Sequence, residues 1–242
     1  MYEKIKDFQV SIVAAIIGVV IFVCTVMTLC VLNKDGIAVT GSAYKVVKSD
    51  IALLKIELRA TNASKSVAYN RIKSQIPTVK EFLAKNGIKA EEITVLPAST
   101  FNNYKTNPIN GYSTNIIESY VFEQAIQIKT NNVDKIKELS VSAQELLDKG
   151  IDLNIYSPEY LYSKLGEIKV ELLKQASEDA KERAKGMLSA TGNRVGKISS
   201  VKMGVFQITP VDSTDVSDSG YSDTTAIEKK VTAVANVTFK IK

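Results

Sequence analysis

The stretch Asp50–Ala60, DIALLKIELRA, carries an apolar residue at every even position from Ala52 to Ala60, while Lys55, Glu57 and Arg59 occupy odd positions. Successive side chains of a strand point to opposite faces, so this period of two predicts a strand with one buried face. The last twelve residues, VTAVANVTFKIK, repeat the pattern with apolar residues at every odd position from Val231 to Ile241. We therefore expect two half-buried strands near the two ends of one domain.

Three segments show the spacing of three and four residues that is typical of amphipathic helices. The first follows residues 62–66 and ends at Asn86-Gly87, the second begins at Val133 and ends at Gly150, and the third runs from Lys164 to Ala190 before Gly192. Asn132 is a favourable helix cap, and glycine commonly follows a helix end. The expected buried stripes are Ala68, Ile72, Ile76, Val79 and Leu83; Ile136, Leu139, Ala143 and Leu147; and Ile168, Leu172, Ala176, Ala180, Ala184 and Leu188.

Shorter apolar runs predict further strands at residues 37–40, 91–101, 116–130, 151–156 and 197–209. Gly41-Ser42 indicates a break after the first of these, and residues 102–115, rich in Asn, Gly and Pro, indicate a loop or a long hairpin connection. Strands occur in adjacent runs instead of alternating singly with helices. The pattern therefore predicts an α+β domain of mainly antiparallel strands packed against three helices.

The composition excludes several kinds of chemistry. The chain of 242 residues contains no His, which removes the commonest general base near neutral pH and the commonest transition-metal ligand. Its two cysteines, Cys24 and Cys30, lie in the N-terminal apolar stretch, so the remainder offers no thiol nucleophile and no disulfide. The formal net charge of +5 is spread along the chain, which argues against a nucleic-acid partner. We predict no catalytic residue, no cofactor and no metal ligand.

The stretch from Val10 to Leu32 contains no charged residue. As a helix it would be roughly 34 Å long, enough to cross a bilayer, and its exit lacks the small residues of a signal-peptidase site. We therefore predict a transmembrane helix over residues 10–32, embedded in membrane lipid, with a cytoplasmic tail over 1–9 and an extracytoplasmic domain over 33–242. Ala14 and Gly18 have the spacing that packs one membrane helix against another. A cleaved export signal is the alternative.

Two groups of side chains have more than one interpretation. Asp212, Asp215, Asp218 and Asp223 lie in VDSTDVSDSGYSD and suggest either calcium binding or a solvated loop; their spacing lacks the alternating ligands of an EF-hand, which favours the loop. Five tyrosines lie near connecting segments, namely Tyr104, Tyr112, Tyr156, Tyr160 and Tyr162. They fit a binding rim, although core or strand-edge packing is favoured for the last three.

Four segments resemble the SIMPL domain family of bacterial envelope proteins: VTGSAYKVVKSDIALLKIEL, LAKNGIKAEEI, LLDKGIDLNI and QASEDAKERAKGMLSATGNRVGKISSV. The last is similar to the family's Ala-rich helix, which a glycine turn and a strand follow. The resemblance implies an extracytoplasmic α+β domain that often forms ring-like or higher homo-oligomers. It also implies a link to stress resistance or antigenicity in some members, and no agreed enzymatic activity.

The predicted function is a membrane-anchored, extracytoplasmic SIMPL-like protein that acts without catalysis, by homo-oligomeric assembly or by binding a protein partner. Two alternatives stay open. A hydrolase acting on cell-wall glycans would need two carboxylates about 5 to 10 Å apart in one cleft. A secreted soluble binding protein would require cleavage after the apolar stretch.

Overall fold

The computed structural model describes residues 16–27 and 36–242. Residues 16–27 are helical. The strands are β1 (Gly36–Lys48), β2 (Ile51–Asn62), β3 (Ile93–Val95), β4 (Ser99–Thr106), β5 (Ser113–Thr130), β6 (Leu153–Ile155), β7 (Glu159–Leu161), β8 (Val195–Met203), β9 (Gln207–Pro210), β10 (Tyr221–Ser222) and β11 (Glu228–Ile241). The helices are α1 (Lys65–Lys85), α2 (Val133–Ser142), α3 (Glu145–Asp148) and α4 (Leu165–Ser189), with a 3-10 turn at Ala90–Glu92. This mixture confirms the α+β class.

Contacts divide residues 36–242 into two compact units. The larger contains residues 44–170 and 206–232, and the smaller contains residues 36–43, 171–205 and 233–242. Because β1, α4 and β11 each cross from one range to another, these three elements contribute to both units.

The larger unit is built on an antiparallel sheet in which β2 is central. The strand order is β3-β5-β2-β6, with β4 beside β5 and β7 beside β2. The predicted buried face of β2 is confirmed, because Ala52, Leu54, Ile56, Leu58 and Ala60 are all buried. Residues of α1, α2 and α3 cover this face, and their apolar side chains belong to the same core cluster: Val79, Phe82, Leu83, Ile136, Leu139 and Leu146.

In the smaller unit, the alanine stripe of α4 packs against β11. Ala176, Ala180 and Ala184 form a buried cluster with Ala235, Val237 and Phe239, as the two patterns predicted. Small side chains let the helix come very close to β1. A Cβ added to Gly41 would lie only 2.1 Å from the Ala176 carbonyl oxygen. The predicted break at Gly41 is therefore wrong: β1 continues to Lys48, and the glycine makes room for α4.

The predicted strand over 197–209 is two strands. β8 pairs antiparallel with the later part of β11, where Met203 lies opposite Ala235. β9 pairs antiparallel with the earlier part of β11, where Gln207 lies opposite Thr232. Residues 204–206 separate them, and a Cβ on Gly204 would crowd Val234. β10 lies parallel to β9, whereas the other pairs with a described register are antiparallel.

The second predicted helix is wrong in its last turns. α2 ends at Ser142 and α3 starts at Glu145, so residues 36–242 contain four α-helices instead of three. The interruption shifts the helical register by one residue. Leu146 is therefore buried, whereas Leu147, which the unbroken period placed in the core, is 50 % exposed.

Residues 102–115, predicted as a loop or a long hairpin connection, form a hairpin and are mostly strand. β4 extends to Thr106 and β5 starts at Ser113, so only residues 107–112 connect them. Cross-strand pairing holds these polar residues extended, an arrangement that their composition alone does not favour.

Within residues 16–27 and 36–242, no helix has both the length and the apolar character needed to cross a membrane. The predicted anchor ends, Val10 and Leu32, lie outside the described residues, as does Ala14. Gly18 lies in the helical segment 16–27.

Candidate functional site

An exposed two-stranded arm extends from the larger sheet. We define the arm as residues 103–119, which comprise the outer part of β4, the connecting turn and the outer part of β5. The pairing of β5 with β2 ends where Tyr120 lies opposite Asn62. Beyond that point, β5 pairs only with β4 among the described strands, and β4 has no second neighbour there. Both faces and both edges of the arm are therefore open.

Side-chain hydrogen bonds order the tip of the arm. The Asn107 Oδ1 accepts a hydrogen bond from the Ile109 amide at 2.9 Å, and the Asn110 Oδ1 accepts one from the Tyr112 amide at 3.1 Å. Gly111 adopts a φ of 71°, a conformation that favours glycine. The Asn107 amide also donates to the Tyr112 carbonyl at 2.8 Å. The turn is thus held in one shape by its own residues.

The arm presents apolar side chains to solvent. Ile109 at the tip is 93 % exposed and Tyr112 is 74 % exposed. Tyr104 lies opposite Ile117 across the two strands, and both side chains are exposed, as is Ile116. No residue of the arm is buried. Such an ordered and uncovered apolar surface is typical of a site that contacts another molecule.

The helical segment 16–27 is a second exposed apolar feature. Each of its residues is exposed, including Ile17, Ile21 and Phe22. The Thr25 Oγ1 donates to the carbonyls of Ile21 and Phe22 at 2.7 and 2.9 Å, so this hydroxyl is satisfied by the helix backbone. No atom within 4 Å would contact a Cβ added to Gly18 in the described chain.

A polar cleft of about 1010 Å³ lies in the larger unit. Three segments line it: residues 48–50 at the end of β1, residues 87–92 after α1, and residues 129–135 at the end of β5 and the start of α2. The lining includes four lysines and four carboxylates: Lys48, Lys89, Lys129, Lys135, Asp50, Glu91, Glu92 and Asp134. Asn132 caps α2 as predicted, its Oδ1 accepting from the Lys135 amide at 3.2 Å.

Glu92 and Asp50 are held ionised by hydrogen bonds. Partial burial would raise the pKa of Glu92, but bonds from the Thr130 hydroxyl at 2.5 Å and the Lys89 amide at 2.8 Å outweigh it and lower that pKa. Burial would likewise raise the pKa of Asp50, and the hydroxyl and amide of Ser163, at 2.5 and 2.7 Å, lower it. Both carboxyls are therefore anions at neutral pH.

One known protein family matches nearly all of residues 36–242. The model of the SIMPL family, described as a protein of unknown function (DUF541), matches residues 37–239, from the start of β1 almost to the end of β11. The chain belongs to the SIMPL family. The resemblance drawn from four sequence segments is thereby confirmed. No curated protein matches the chain.

Most of the acidic segment of this SIMPL domain is the predicted solvated loop, since Asp212, Asp215 and Asp218 are exposed, but Asp223 is an exception. Asp223 is buried, and its Oδ2 lies 2.9 Å from the ammonium of Lys229, which is buried as well. A carboxylate in a Ser- and Asp-rich segment gives no sequence signal that a lysine six residues later will be enclosed with it. The calcium alternative gains nothing, because no group of three or more His, Cys, Asp or Glu side chains in residues 16–27 and 36–242 is placed to hold a metal ion.

The five tyrosines do not form one rim. Tyr160 is buried in the core of the SIMPL domain, which confirms the packing interpretation for that residue. Tyr156 is exposed and donates to the Glu57 carboxylate at 3.1 Å, while Tyr104 and Tyr112 lie on the arm. The sequence did not decide the arm, because its polar residues fit either a loop or a long hairpin connection. It missed the cleft because the lining segments are far apart in the chain.

Proposed function

We propose that this SIMPL protein is anchored in a membrane by the helix predicted over residues 10–32, with its domain outside the cytoplasm. There it acts without catalysis by assembling with further copies of itself at the cell envelope. The exposed apolar arm is the observation that carries this proposal.

The arm supports assembly because it has the features of an uncovered interface. Edge strands offer free backbone donors and acceptors, and natural proteins usually shield them with charges, proline or bulges. Within residues 103–119 the only charged side chains are Lys105 and Glu118; Pro108 lies in the connecting turn, and register shifts interrupt the pairing of β4 with β5 only between Asn103 and Thr106. A second copy presents the same edge and the same apolar residues, so two arms can pair about a twofold axis. Tethering in one membrane would raise the local concentration and strengthen weak lateral contacts.

The helical segment supports the membrane part of the proposal. A helix that is apolar on all sides is normally buried in a protein core or in lipid. Residues 16–27 contain no charged side chain, and each of them is exposed in the single chain. The internal hydrogen bonds of Thr25 suit a medium that contains no water. Lipid contact would cover this surface.

The polar cleft gives no support to the glycan-hydrolase alternative. Asp50 and Glu92 both line this concavity, and such an enzyme would use one of its two carboxyl groups as a general acid. A general acid must stay protonated near neutral pH and so needs a raised pKa. The pKa of Asp50 and the pKa of Glu92 are both lowered, which supports a role without catalysis.

Disulfide cross-linking of the full-length chain tests the assembly. Residues 33–242 contain no cysteine. After Cys24→Ala and Cys30→Ala, a cysteine introduced at one chosen position is therefore the only thiol in the chain. We expect Ile109→Cys to give a covalent dimer in the membrane under mild oxidation. The matched control is Val216→Cys, in the acidic segment, because Val216 is similarly exposed. Equal cross-linking from both positions, or none from Ile109→Cys, would contradict assembly through the arm.

The anchor is tested on the mature protein. We expect N-terminal sequencing to find residues upstream of Val10, and we expect alkaline carbonate to leave the protein in the membrane pellet. A mature chain that begins near Asn33 and is released by carbonate would show cleavage and favour the secreted alternative.

A further inference from the structure

Helix α1 carries most of the chain's excess of positive charge. Its 21 residues contain a single acidic residue, Glu81, and five basic ones: Lys65, Arg71, Lys73, Lys80 and Lys85. Five positive charges less one negative charge give the helix a formal charge of +4, against +5 for the whole chain. The excess charge, which the sequence as a whole indicated to be spread out, is therefore concentrated in one helix.

Helix α4 is the comparison for an ordinary solvated helix. It also contains five basic residues, but five acidic residues balance them. Arg183, for example, pairs with Asp179 one turn away at 2.8 Å. Opposite charges mixed along a helix are typical of a surface that only water covers. α1 differs from such a surface, because its only ion pair within the helix joins Lys85 to Glu81 at 3.0 Å.

Three of the lysines and one tyrosine share one side of α1. Lys65, Tyr69 and Lys73 follow one another at steps of four residues, and Lys80 lies seven residues after Lys73. Such steps bring side chains to the same side of a helix. We define the basic stripe as Lys65, Tyr69, Lys73 and Lys80, and its length is roughly 22 Å at the helical rise per residue. All four residues are exposed.

The lysines of the basic stripe have no carboxylate partner in the part of the chain that the structure describes. No ion pair among residues 16–27 and 36–242 includes Lys65, Lys73 or Lys80. The stripe borders β3, because Ile93 lines a small depression together with Lys80. Neither β3 nor the next strand, β4, contains an acidic residue. Three cationic groups are thus available to an anionic ligand.

The aromatic ring of the basic stripe is held in place by the sheet. Tyr69 packs against Phe122 of β5 with the ring centroids 5.7 Å apart, and it is still 44 % exposed. Lys65 lies about one turn before it and Lys73 about one turn after it. The stripe therefore presents a flat apolar surface between two positive charges.

We propose that the basic stripe of α1 binds an acidic polysaccharide. A row of three ammonium groups suits a linear polymer that carries repeated anionic groups. The ring of Tyr69 adds a surface on which the C–H face of a sugar can pack. Nucleic acid is the other polyanion that contains rings, and the choice of polysaccharide rests on the proposed location of the domain outside the cytoplasm. The stripe uses no residue of the arm.

Calorimetric titration of the full-length protein in an uncharged detergent tests the stripe, with polygalacturonate as the probe and neutral dextran as the reference. We expect saturable binding of polygalacturonate and none of dextran. The double variant Lys73→Gln with Lys80→Gln should weaken binding by about tenfold or more, because each lysine near an anionic surface contributes about fivefold. Adding salt should weaken the wild-type affinity as well.

The matched control is the double variant Lys174→Gln with Lys181→Gln. These two lysines are also exposed and also lie seven residues apart, but they belong to the charge-balanced helix α4. We expect the control to keep the wild-type affinity to within about twofold, because its lysines lie outside the stripe. Equal weakening in the two double variants, or no saturation by wild type, would overturn the proposal.

Tyr69→Leu separates recognition of a sugar from attraction by charge alone. Leucine keeps an apolar contact with Phe122 and removes the flat ring. We expect the affinity for polygalacturonate to fall by about threefold or more, while the affinity for polyphosphate, which has no sugar, stays unchanged. Thermal unfolding confirms that the variant is folded. An unchanged affinity for polygalacturonate, or an equal loss for both probes, would contradict a polysaccharide site.

Single-stranded DNA, compared with polygalacturonate at the same concentration of anionic groups, tests the competing class of ligand. Weaker binding of DNA supports the polysaccharide. DNA that binds as tightly or more tightly, and that is lost in the Lys73→Gln and Lys80→Gln variant, would overturn it in favour of nucleic acid. Neither result affects cross-linking through Ile109→Cys or retention of the anchor, so this proposal and the proposed function fail separately.

Discussion

The two halves of β5 carry similar apolar residues and have opposite surroundings. In the inner half, residues 120–130, the strand lies between β2 and strands β3 and β4, and Ile126 and Ile128 are fully buried. In the outer half, residues 113–119, β2 no longer pairs with it, and Ile116 and Ile117 are exposed. Burial is therefore decided by the neighbouring strands. The apolar residues of the outer half contribute little to folding and are available for contact with another molecule.

The largest contrast is expected between two isoleucines of this one strand. Ile126→Ala removes a fully buried side chain and leaves a cavity, so it should lower the free energy of unfolding by about 2–5 kcal/mol. Ile116→Ala, in the exposed half, should change it by less than about 0.5 kcal/mol. Urea denaturation followed by circular dichroism measures both. Similar losses in the two variants would show that the arm packs against the folded domain.

A second contrast is between Gly41, which lies against α4, and Gly186, which lies at an open position within α4 and is taken up below. Gly41→Ala places a methyl group against the Ala176 carbonyl and the Ala180 amide, which are backbone atoms that cannot rotate away. We expect a loss of about 3 kcal/mol or failure to fold. The measurement is the free energy of unfolding where the variant folds, or the soluble yield where it does not. A variant as stable as wild type would show that β1 and α4 are not in close contact.

The buried pair of Asp223 and Lys229 predicts a dependence of stability on pH. Burial would raise the pKa of Asp223, but hydrogen bonds from Thr225, Ala226 and Lys229 lower it to about 2. Because the carboxyl of Asp223 has a lower pKa in the folded than in the unfolded chain, it stabilises the folded state at any pH above its ordinary pKa near 3.8. This contribution is lost as the pH falls toward 2. The contribution should be about 2 kcal/mol.

Unfolding measured between pH 5 and pH 2 tests this pair. The double variant Asp223→Leu with Lys229→Met removes both buried charges and should lose that part of the slope. Asp218→Asn, in the exposed part of the same segment, should keep the wild-type slope. Identical slopes in wild type and the double variant would contradict the prediction.

The smallest effect is expected at an open position of α4. Gly186 lies within the helix, and an added Cβ would meet no atom within 4 Å. Gly186→Ala should therefore stabilise the protein by about 0.5–1 kcal/mol, because alanine loses less backbone freedom in a helix. Thermal unfolding measures the gain. A loss of stability would reveal a neighbour at this position.

The sequence predicted those elements that bury one face along their whole length. β2, β11, α1 and α4 each repeat one period, and their expected residues are buried except Ile76, which is half-buried, and Ile241, which is exposed at the end of β11. The prediction failed where tertiary contacts override the local pattern. α2 and α3 break at Ala143-Gln144 and turn Leu147 outward, and Gly41 indicated a turn but provides space for a helix.

The candidate sites were the least predictable part. The arm is extended because two polar strands pair with each other, and the Asn-rich composition of residues 102–115 fitted a loop as well as a long hairpin connection. The cleft joins segments near residues 49, 89 and 132, and only the Asn132 cap had a local signal. The buried position of Asp223 depends on Lys229, and its sequence neighbours resemble an ordinary loop.

The most direct test of assembly through the arm is the native mass of the full-length protein in an uncharged detergent, compared between wild type and two variants. The arm variant combines Ile109→Ser with Ile116→Ser, and the control is Val216→Ser, which removes an apolar side chain elsewhere whose exposure is intermediate between those of the two isoleucines. We predict an oligomer for wild type and for the control, and a monomer with unchanged thermal stability for the arm variant. A wild-type monomer, or an arm variant that keeps the wild-type oligomeric mass, would contradict the account.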